Sequence, residues 1–279
     1  MAHQPVIAVG ELMQVLDDPD IRVVDASWYL PAANRNAEQE YRDAHIPNAV
    51  FFDIDLCCAQ SDLPHMMPTP KVFADYVGKL GISDRHKIVI YDTAGLFSAA
   101  RVWWMFRVFG AKEVHVLDGG FPAWQTQGGT VTSTASELNP AVFTVTTTTG
   151  AIASVDDVLS AIGTGKALIL DARPTARFIG EQAEARPGVR SGHIPDSKSL
   201  PFSNLISNGH LKSTDELVGI LNNVGATPES AIVTSCGSGV TAAVICLALE
   251  RVGWANYSLY DGSWTEWGSR TDLPIGTGT

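Results

Sequence analysis

The sequence predicts an α/β protein of two tandem domains, each a mainly parallel sheet with helices on both faces. Two observations support this prediction. The halves of the 279-residue chain resemble each other in motif and in order, and each half alternates short β-branched runs with segments of helical period. The length is also near the size at which a single hydrophobic core gives way to two.

An internal repeat appears at four landmarks that keep one order along the chain. Each landmark and its counterpart are separated by between 143 and 148 residues. Because chance rarely preserves both order and spacing, we interpret the halves as a duplication. The pairs are Val-Val-Asp-Ala at 23–26 with Ile-Leu-Asp-Ala at 169–172, His-Ile-Pro at 45–47 and 193–195, the apolar runs that end at Asp92 and Cys236, and Asp118-Gly with Asp261-Gly.

The region between the repeats has the composition of a linker. Residues 128–150 are rich in Gly, Thr, Ser and Asn and show no helical period. We therefore predict a first domain over residues 1–137, a linker over 138–151 and a second domain over 152–279.

Within each half, one helix followed by one strand is predicted from the pattern of apolar residues. A capping box at Ser213 and Glu216 begins the helix of the second half, and Gly225 ends it. Gly81 ends the corresponding helix of the first half. An apolar run typical of a buried strand follows each helix. The helical stripes are Phe73, Tyr76, Val77 and Leu80, and Leu217, Ile220, Leu221 and Val224.

Charge and composition exclude two classes of partner. The chain has a formal net charge of -11 at pH 7 and a pI near 5.0, so we expect no broad attraction to nucleic acid or to an anionic membrane. No stretch approaches the roughly 18 apolar residues of a membrane span, and Met1 to Glu11 carries no charged segment before an apolar run. We expect a cytoplasmic monomer in which an anionic substrate needs a local basic pocket.

The four cysteines are too few for a disulfide scaffold and show no Cys-x-x-Cys spacing, which favours a reducing compartment. Cys246 lies in an apolar helix, and the adjacent Cys57 and Cys58 have poor geometry for binding one metal ion. These three are interpreted as small buried side chains, and no metal site is predicted.

Cys236 differs because a glycine-rich loop follows it. The segment Cys-Gly-Ser-Gly-Val-Thr at 236–241 joins a predicted buried strand to the apolar helix predicted over residues 242–249. Ligands bind at this edge of open α/β sheets. Gly237 and Gly239 allow backbone N–H groups to turn inward as a nest for an anion, with the helix dipole behind them. Such surroundings activate a thiol.

A phosphatase with a related cysteine loop is excluded by one position. That chemistry needs an arginine six residues after the cysteine to bind the phosphoryl oxygens in bidentate fashion. Ala242 occupies the position here.

The repeat, the His-Ile-Pro segments, the cysteine loop and the ending Tyr-Asp-Gly-Ser-Trp-x-Glu-Trp resemble the tandem-domain rhodanese superfamily over nearly the whole chain. Within it, they resemble the branch that takes sulfur from 3-mercaptopyruvate. The resemblance implies a non-catalytic first domain, with Asp92 in place of the cysteine, and a catalytic second domain. The branch that uses thiosulfate resembles Cys-Arg-Lys-Gly-Val-Thr, whereas the Gly-Ser found here carries no charge.

The resemblance also implies roles for individual residues. Cys236 carries sulfur as a persulfide, and the other substrate-binding residues of the loop are Gly237, Gly239, Val240 and Thr241. Arg177 and Arg186 form the pair that binds the substrate carboxylate, which suits bidentate guanidinium recognition. A relay of Ser238, His65 and Asp55 moves a proton.

Other polar and aromatic residues are assigned structural parts. Arg173 and Arg190 are interpreted as salt-bridged or solvated charges, and His45 and His193 as residues that fix turns. Trp103, Trp104 and Phe106 are interpreted as core or domain-interface packing.

The expected reaction is a double displacement without metal or organic cofactor. Sulfur passes from 3-mercaptopyruvate to Cys236 and then to a thiol such as reduced thioredoxin, or to cyanide. Two alternatives remain: a thiosulfate sulfurtransferase, and a non-enzymatic sulfur-binding or scaffold module.

Overall fold

The computed structural model describes residues 4–136 and 138–278. The predicted end of the first domain at residue 137 lies outside the described residues, as do residues 1–3 and 279. Two five-stranded sheets, both wholly parallel, form the centres of the two halves. The prediction of an α/β protein with two tandem domains is confirmed.

The first sheet has the strand order β1-β5-β4-β2-β3. Its central strand is entirely apolar apart from its first residue, because both of its faces are covered by helices. The strands are β1 (Val6–Ile7), β2 (Ile21–Asp25), β3 (Ala49–Phe51), β4 (Lys87–Tyr91) and β5 (Val114–Leu117). The helices are α1 (Val9–Val15), α2 (Ala37–Asp43), α3 (Pro70–Lys79), α4 (Ala99–Val108) and α5 (Gly120–Thr126).

The second sheet repeats this order as β6-β12-β11-β7-β8, and a short antiparallel hairpin, β9 with β10, is added beside it. The strands are β6 (Ile152–Ala153), β7 (Leu168–Asp171), β8 (Lys198–Ser199), β9 (Ile206–Ser207), β10 (His210–Leu211), β11 (Ile232–Ser235) and β12 (Tyr257–Tyr260). The helices are α6 (Val155–Ala161), α7 (Thr175–Phe178), α8 (Thr214–Asn223), α9 (Ala242–Arg251) and α10 (Ser263–Ser269). Two 3-10 helices span Pro31–Ala33 and Phe202–Leu205.

The predicted helix signals lie where the sequence places them. Ser213 accepts a hydrogen bond from the Glu216 backbone and Glu216 accepts one from the Ser213 backbone, so the capping box is formed at the start of α8. Gly81 and Gly225 adopt positive φ values of 75° and 84° just beyond α3 and α8. Across the described residues, no helix combines the length and the apolar character that crossing a membrane requires.

The two domains meet through α4 and α9, which pack against each other. All but one residue of α4 and all but the last two of α9 are buried, as expected of helices at the centre of a molecule. Trp103, Trp104 and Phe106 are buried in α4, and the Trp103 indole donates a hydrogen bond to the Val114 carbonyl at 3.2 Å. One hydrophobic cluster therefore runs through both domains.

The duplicated histidines His45 and His193 make the same two kinds of contact in their domains, one to a helix and one to the segment after the last helix. His45 Nδ1 lies 2.6 Å from the Tyr41 carbonyl oxygen in α2, and His193 Nδ1 lies 2.9 Å from the Phe178 carbonyl oxygen at the end of α7. Both residues also form isolated β-bridges to segments that follow the last helix of their domain. They lie in the structural positions that the sequence assigns to them.

Candidate active site

Cys236 is the first residue after β11, at the carboxyl edge of the second sheet, and it is 2% exposed. The start of α10 holds its loop. The Cys236 N–H donates to Ser263 Oγ at 3.2 Å, and the Trp264 N–H donates to the Cys236 carbonyl at 2.9 Å. Thr265 donates to the Gly237 carbonyl from its N–H at 2.9 Å and from its hydroxyl at 2.6 Å. The cysteine backbone is thus fixed on the side away from solvent.

The loop of the first domain shows what such a turn binds. There the buried carboxylate of Asp92 accepts hydrogen bonds from the N–H groups of Ala94, Phe97 and Ala99 at 2.9, 2.7 and 2.9 Å. Burial raises the pKa of Asp92, and these backbone hydrogen bonds oppose that rise. In the second domain, the N–H groups of residues 238–241 have no acceptor among the described residues. The same kind of nest therefore remains for an anion beside Cys236.

A cavity of about 130 Å³ lies in front of Cys236. Its walls come from both domains, so the site is complete only when the domains are packed together. From the first domain come Trp28, Leu30 and Phe97. From the second come Arg173, Pro174, Arg177, Glu184, Ala185, Arg186, Val189, Phe202, Cys236, Gly237, Ser238, Val240, Thr241 and Thr265.

Arg177 and Arg186 provide the positive charge of this cavity. Arg177 Nη2 lies 3.7 Å from Glu184 Oε2, and Arg186 Nη1 donates to Thr265 Oγ1 at 3.4 Å. Burial lowers the pKa of Arg186, and the nearby Arg177 acts in the same direction, while Cys236 opposes it. Two guanidinium groups, neither of them in a close ion pair, favour an anionic substrate.

Arg173 and Arg190 are held by groups of the protein itself. Arg173 is 2% exposed and pairs with Asp171 at 2.6 Å and with Glu184 at 2.7 Å. Arg190 donates to the carbonyls of Gly268 and Trp267 in α10, at 3.1 and 3.4 Å, and to the Leu273 carbonyl beyond it at 3.2 Å. The salt bridges of Arg173 match its interpretation, whereas Arg190 is partly buried and is held by backbone carbonyls rather than by a carboxylate or by solvent.

Asp55 and His65 pair within the segment between β3 and α3. His65 Nδ1 lies 2.9 Å from Asp55 Oδ1, and this pairing is the main cause that lowers the pKa of Asp55. Asp55 Oδ2 also accepts a hydrogen bond from the Trp28 indole at 2.9 Å. The Trp28 ring meets the His65 ring edge-on, with 4.8 Å between centroids. Trp28, which lines the cavity, therefore contacts both members of the pair.

The structure gathers seven of the ten predicted site residues around the cavity and leaves three outside it. The seven are Cys236, Gly237, Ser238, Val240, Thr241, Arg177 and Arg186. Asp55 and His65 do not line the cavity, and no hydrogen bond joins His65 to Ser238 among the described residues. Gly239 was expected at the substrate. It has a φ of 77°, its carbonyl accepts from Arg101 at 3.3 Å, and its N–H is one of the loop N–H groups beside Cys236.

Sequence reasoning missed three residues at this site: Trp28, Thr265 and Arg101. Trp28 follows the end of β2 as Pro174 follows the end of β7, and both line the cavity. The repeat alignment therefore contained a signal for Trp28. Thr265 and Arg101 act on backbone carbonyls, which carry no sequence signature.

Comparison with known proteins agrees with this geometry. The sequence profile of the Rhodanese-like domain matches residues 8–127 and 154–270. The chain is 45% identical over 266 residues to 3-mercaptopyruvate sulfurtransferase of Escherichia coli K12, covering 95% of each chain. It is 40% identical over 295 residues to thiosulfate/3-mercaptopyruvate sulfurtransferase 1, mitochondrial, of Arabidopsis thaliana, covering 98% of this chain and 78% of that one.

Among solved structures, the chain superposes on the crystal structure of SseA from Escherichia coli with a TM-score of 0.86. The identity in this superposition is 41%, and it covers 94% of this chain and 99% of SseA. Profile, sequence and structure agree on both halves. The chain belongs to the rhodanese family and carries two tandem rhodanese-like domains.

Proposed function

We propose that the protein is a sulfurtransferase that moves sulfur from 3-mercaptopyruvate to a thiol acceptor through a persulfide on Cys236. One observation carries this proposal: Cys236 lines a cavity together with two arginines and a loop whose N–H groups have no acceptor among the described residues. The relatives named as 3-mercaptopyruvate sulfurtransferases support it.

In the first half-reaction, the Cys236 thiolate attacks the sulfur of 3-mercaptopyruvate. A new S–S bond forms and the carbon–sulfur bond breaks, so its electron pair leaves on the three-carbon fragment as the enolate of pyruvate. One proton converts the enolate to pyruvate, and the outer sulfur stays on the enzyme. N–H groups of the loop stabilise the negative charge of this sulfur, as their counterparts do for Asp92.

In the second half-reaction, an acceptor thiolate attacks the outer sulfur and releases the Cys236 thiolate. We propose reduced thioredoxin or another thiol as the acceptor, with cyanide as a substitute in an assay. Neither half-reaction calls for a metal ion or an organic cofactor. The four free cysteines and a thiol acceptor fit a reducing compartment such as the cytoplasm, with the protein acting as a monomer.

The two candidate sulfur donors differ in where their negative charge lies relative to the transferred sulfur. Arg177 and Arg186 can receive the carboxylate of 3-mercaptopyruvate while its sulfur meets Cys236. Thiosulfate places its charge beside the transferred sulfur and needs cations on the loop, where this chain has Gly237 and Ser238. The geometry therefore supports 3-mercaptopyruvate over thiosulfate.

The proton for the enolate comes, in this proposal, from the pair of His65 and Asp55, with Ser238 as the hydroxyl on the cavity side. A carboxylate that fixes a histidine allows it to move protons near neutral pH. Ser238 is the member of this relay that lines the cavity.

Intact-mass measurement after brief incubation with 3-mercaptopyruvate or, separately, with thiosulfate tests the proposal. We expect a gain of one sulfur that a reducing thiol removes, that Cys236→Ser abolishes and that Cys58→Ser leaves unchanged. Equal or better loading from thiosulfate would move the assignment to a thiosulfate sulfurtransferase. No loading from either donor would favour the non-enzymatic module.

A further inference from the structure

We infer that Arg101, on α4 of the first domain, is a positioning residue that sets the conformation of the cysteine loop in the second domain. Its guanidinium is fully buried. Because a buried charge is tolerated only when it is paired and hydrogen-bonded, the partners of this group matter. The inference rests on the proposed function in one respect: the loop that Arg101 holds is the one that carries the sulfur.

The guanidinium of Arg101 joins three separate segments. Nη2 donates to Asp261 Oδ1 at 2.7 Å and to the His65 carbonyl at 2.6 Å, and Nη1 donates to the Gly239 carbonyl at 3.3 Å. Asp261 Oδ2 accepts in turn from the Met67 N–H at 2.6 Å. The cysteine loop, the segment with His65 and the turn after β12 are therefore fixed relative to one planar group.

The fork of Arg101 determines the direction of the loop N–H groups. Gly239 lies in the middle of the loop, and a Cβ there would lie 2.9 Å from Arg101 Nη1, so the two groups are in direct contact. Since the carbonyl of Gly239 points to Arg101, the adjoining peptide groups are fixed around Cys236. The arginine itself does not line the cavity, so it acts through the backbone rather than on the substrate.

On the duplicated side of the interface, the corresponding aspartate makes its contacts with the other domain without a buried arginine. There Asp118 accepts from the Leu211 N–H at 2.9 Å and lies 3.3 Å from His210 Nδ1, and the His210 side chain is 42% exposed. Arg101 is the third residue of α4, whereas the third residue of α9 is Val244. The first domain therefore presents Arg101 to the Cys236 loop, whereas α9 presents Val244 at the matching place to the Asp92 side.

The test compares Arg101→Gln and Arg101→Lys with a matched control, Arg107→Gln. Arg107 lies on the same helix and also pairs across the interface, with Glu250 at 3.3 Å, but it lies away from the cysteine loop. The first readout is the pH dependence of iodoacetamide alkylation at Cys236, followed by mass analysis of its peptide. The second is kcat and KM with 3-mercaptopyruvate, and thermal unfolding reports stability.

For Arg101→Gln we expect the alkylation midpoint to move to higher pH and kcat to fall about 10-fold to 100-fold, with KM within about 2-fold. Arg101→Lys keeps the charge near Asp261 but lacks the fork, so kcat falls while the midpoint moves less. If Arg101→Gln does not fold, Arg101→Lys alone tests the inference by the same two readouts. Arg107→Gln matches the wild type in both readouts.

Folded Arg101 variants with wild-type alkylation and wild-type kcat would overturn the inference, even if their thermal stability fell. Alkylation uses no sulfur donor. A change in alkylation without turnover of any donor would therefore support the role of Arg101 while rejecting the proposed function.

Discussion

Asp92 and Cys236 occupy the same place in the two domains, each as the first residue after the central strand of its sheet. The carboxylate in the first domain already fills its nest, with three backbone hydrogen bonds. The second loop leaves its N–H groups for sulfur or substrate. The first domain therefore serves as an internal reference for how this loop binds an anion.

Arg177→Ala and Arg186→Ala should each raise KM for 3-mercaptopyruvate by about 10-fold to 100-fold, because each removes a donor to the substrate carboxylate. Steady-state kinetics measures this change. Arg190→Ala is the control, since Arg190 binds carbonyls near α10 and should lower stability without changing KM. Unchanged KM in both cavity variants would remove the two arginines from the substrate site.

His65→Gln and Asp55→Asn should lower kcat more than they change KM. Their side chains pair with each other and do not line the cavity, so the proposed relay uses them for proton transfer and not for binding. A decrease of about 10-fold to 100-fold is expected for loss of a general acid. Rapid-quench measurement of pyruvate release separates this step from acceptor turnover, and a wild-type rate in both variants would contradict the relay.

Asp25→Asn should stabilise the protein at pH 8 but not near pH 4. Burial raises the pKa of Asp25 from 3.8 to about 6, and the hydrogen bonds from Ser27 only partly oppose it. Because the folded state binds this proton more tightly, the stabilisation is present below pH 4 and is lost as pH rises through 6. The asparagine stays neutral, and the gain at pH 8 is of the order of 3 kcal/mol.

Urea unfolding near pH 4 and at pH 8 measures this difference between Asp25→Asn and the wild type. Asp171→Asn is the matched control, because Asp171 is the counterpart of Asp25 but pairs with Arg173. That variant should be less stable than the wild type at both pH values. A gain for Asp25→Asn that did not depend on pH would show that burial of the charge is not its cause.

Arg173→Met should destabilise the second domain by about 3–5 kcal/mol, because it leaves the buried carboxylate of Asp171 without its cation and Glu184 with only the more distant Arg177. Denaturant unfolding measures the free energy. Arg270→Met provides a comparison, since its exposed ion pair with Asp272 should contribute little. Equal stability of the two variants would show that burial does not strengthen the Arg173 interactions.

The parts of the site that the sequence predicts are those carried by one short segment. Cys236 and its loop follow from a strand, two glycines and a helix, and Arg177 and Arg186 lie nine residues apart. The two helices that end before Gly81 and Gly225, and the buried strands that follow them, also come from local patterns that the duplication repeats. Local patterns suffice here because each feature is formed within its own domain.

The parts that could not be predicted depend on the packing of one domain on the other. Trp28 reaches the cavity only because the first sheet places it beside Phe97 at that edge. Arg101 appears in the sequence as one arginine in an apolar helix, and its acceptors are mostly backbone carbonyls. No residue type marks a carbonyl as an acceptor, so the orientation of Gly239 could not be inferred either.

Two aspartates that each bind a backbone N–H group of the other domain show how the two halves depend on each other. The aspartate after β5 holds Leu211 of the second domain, and the aspartate after β12 holds Met67 of the first. A gene that encoded only the second domain would lack the cavity residues of the first domain, the segment with His65, and Arg101. Although the first domain carries Asp92 in place of a cysteine, substitutions in it act on the site of the second domain, because residues of both halves build that site.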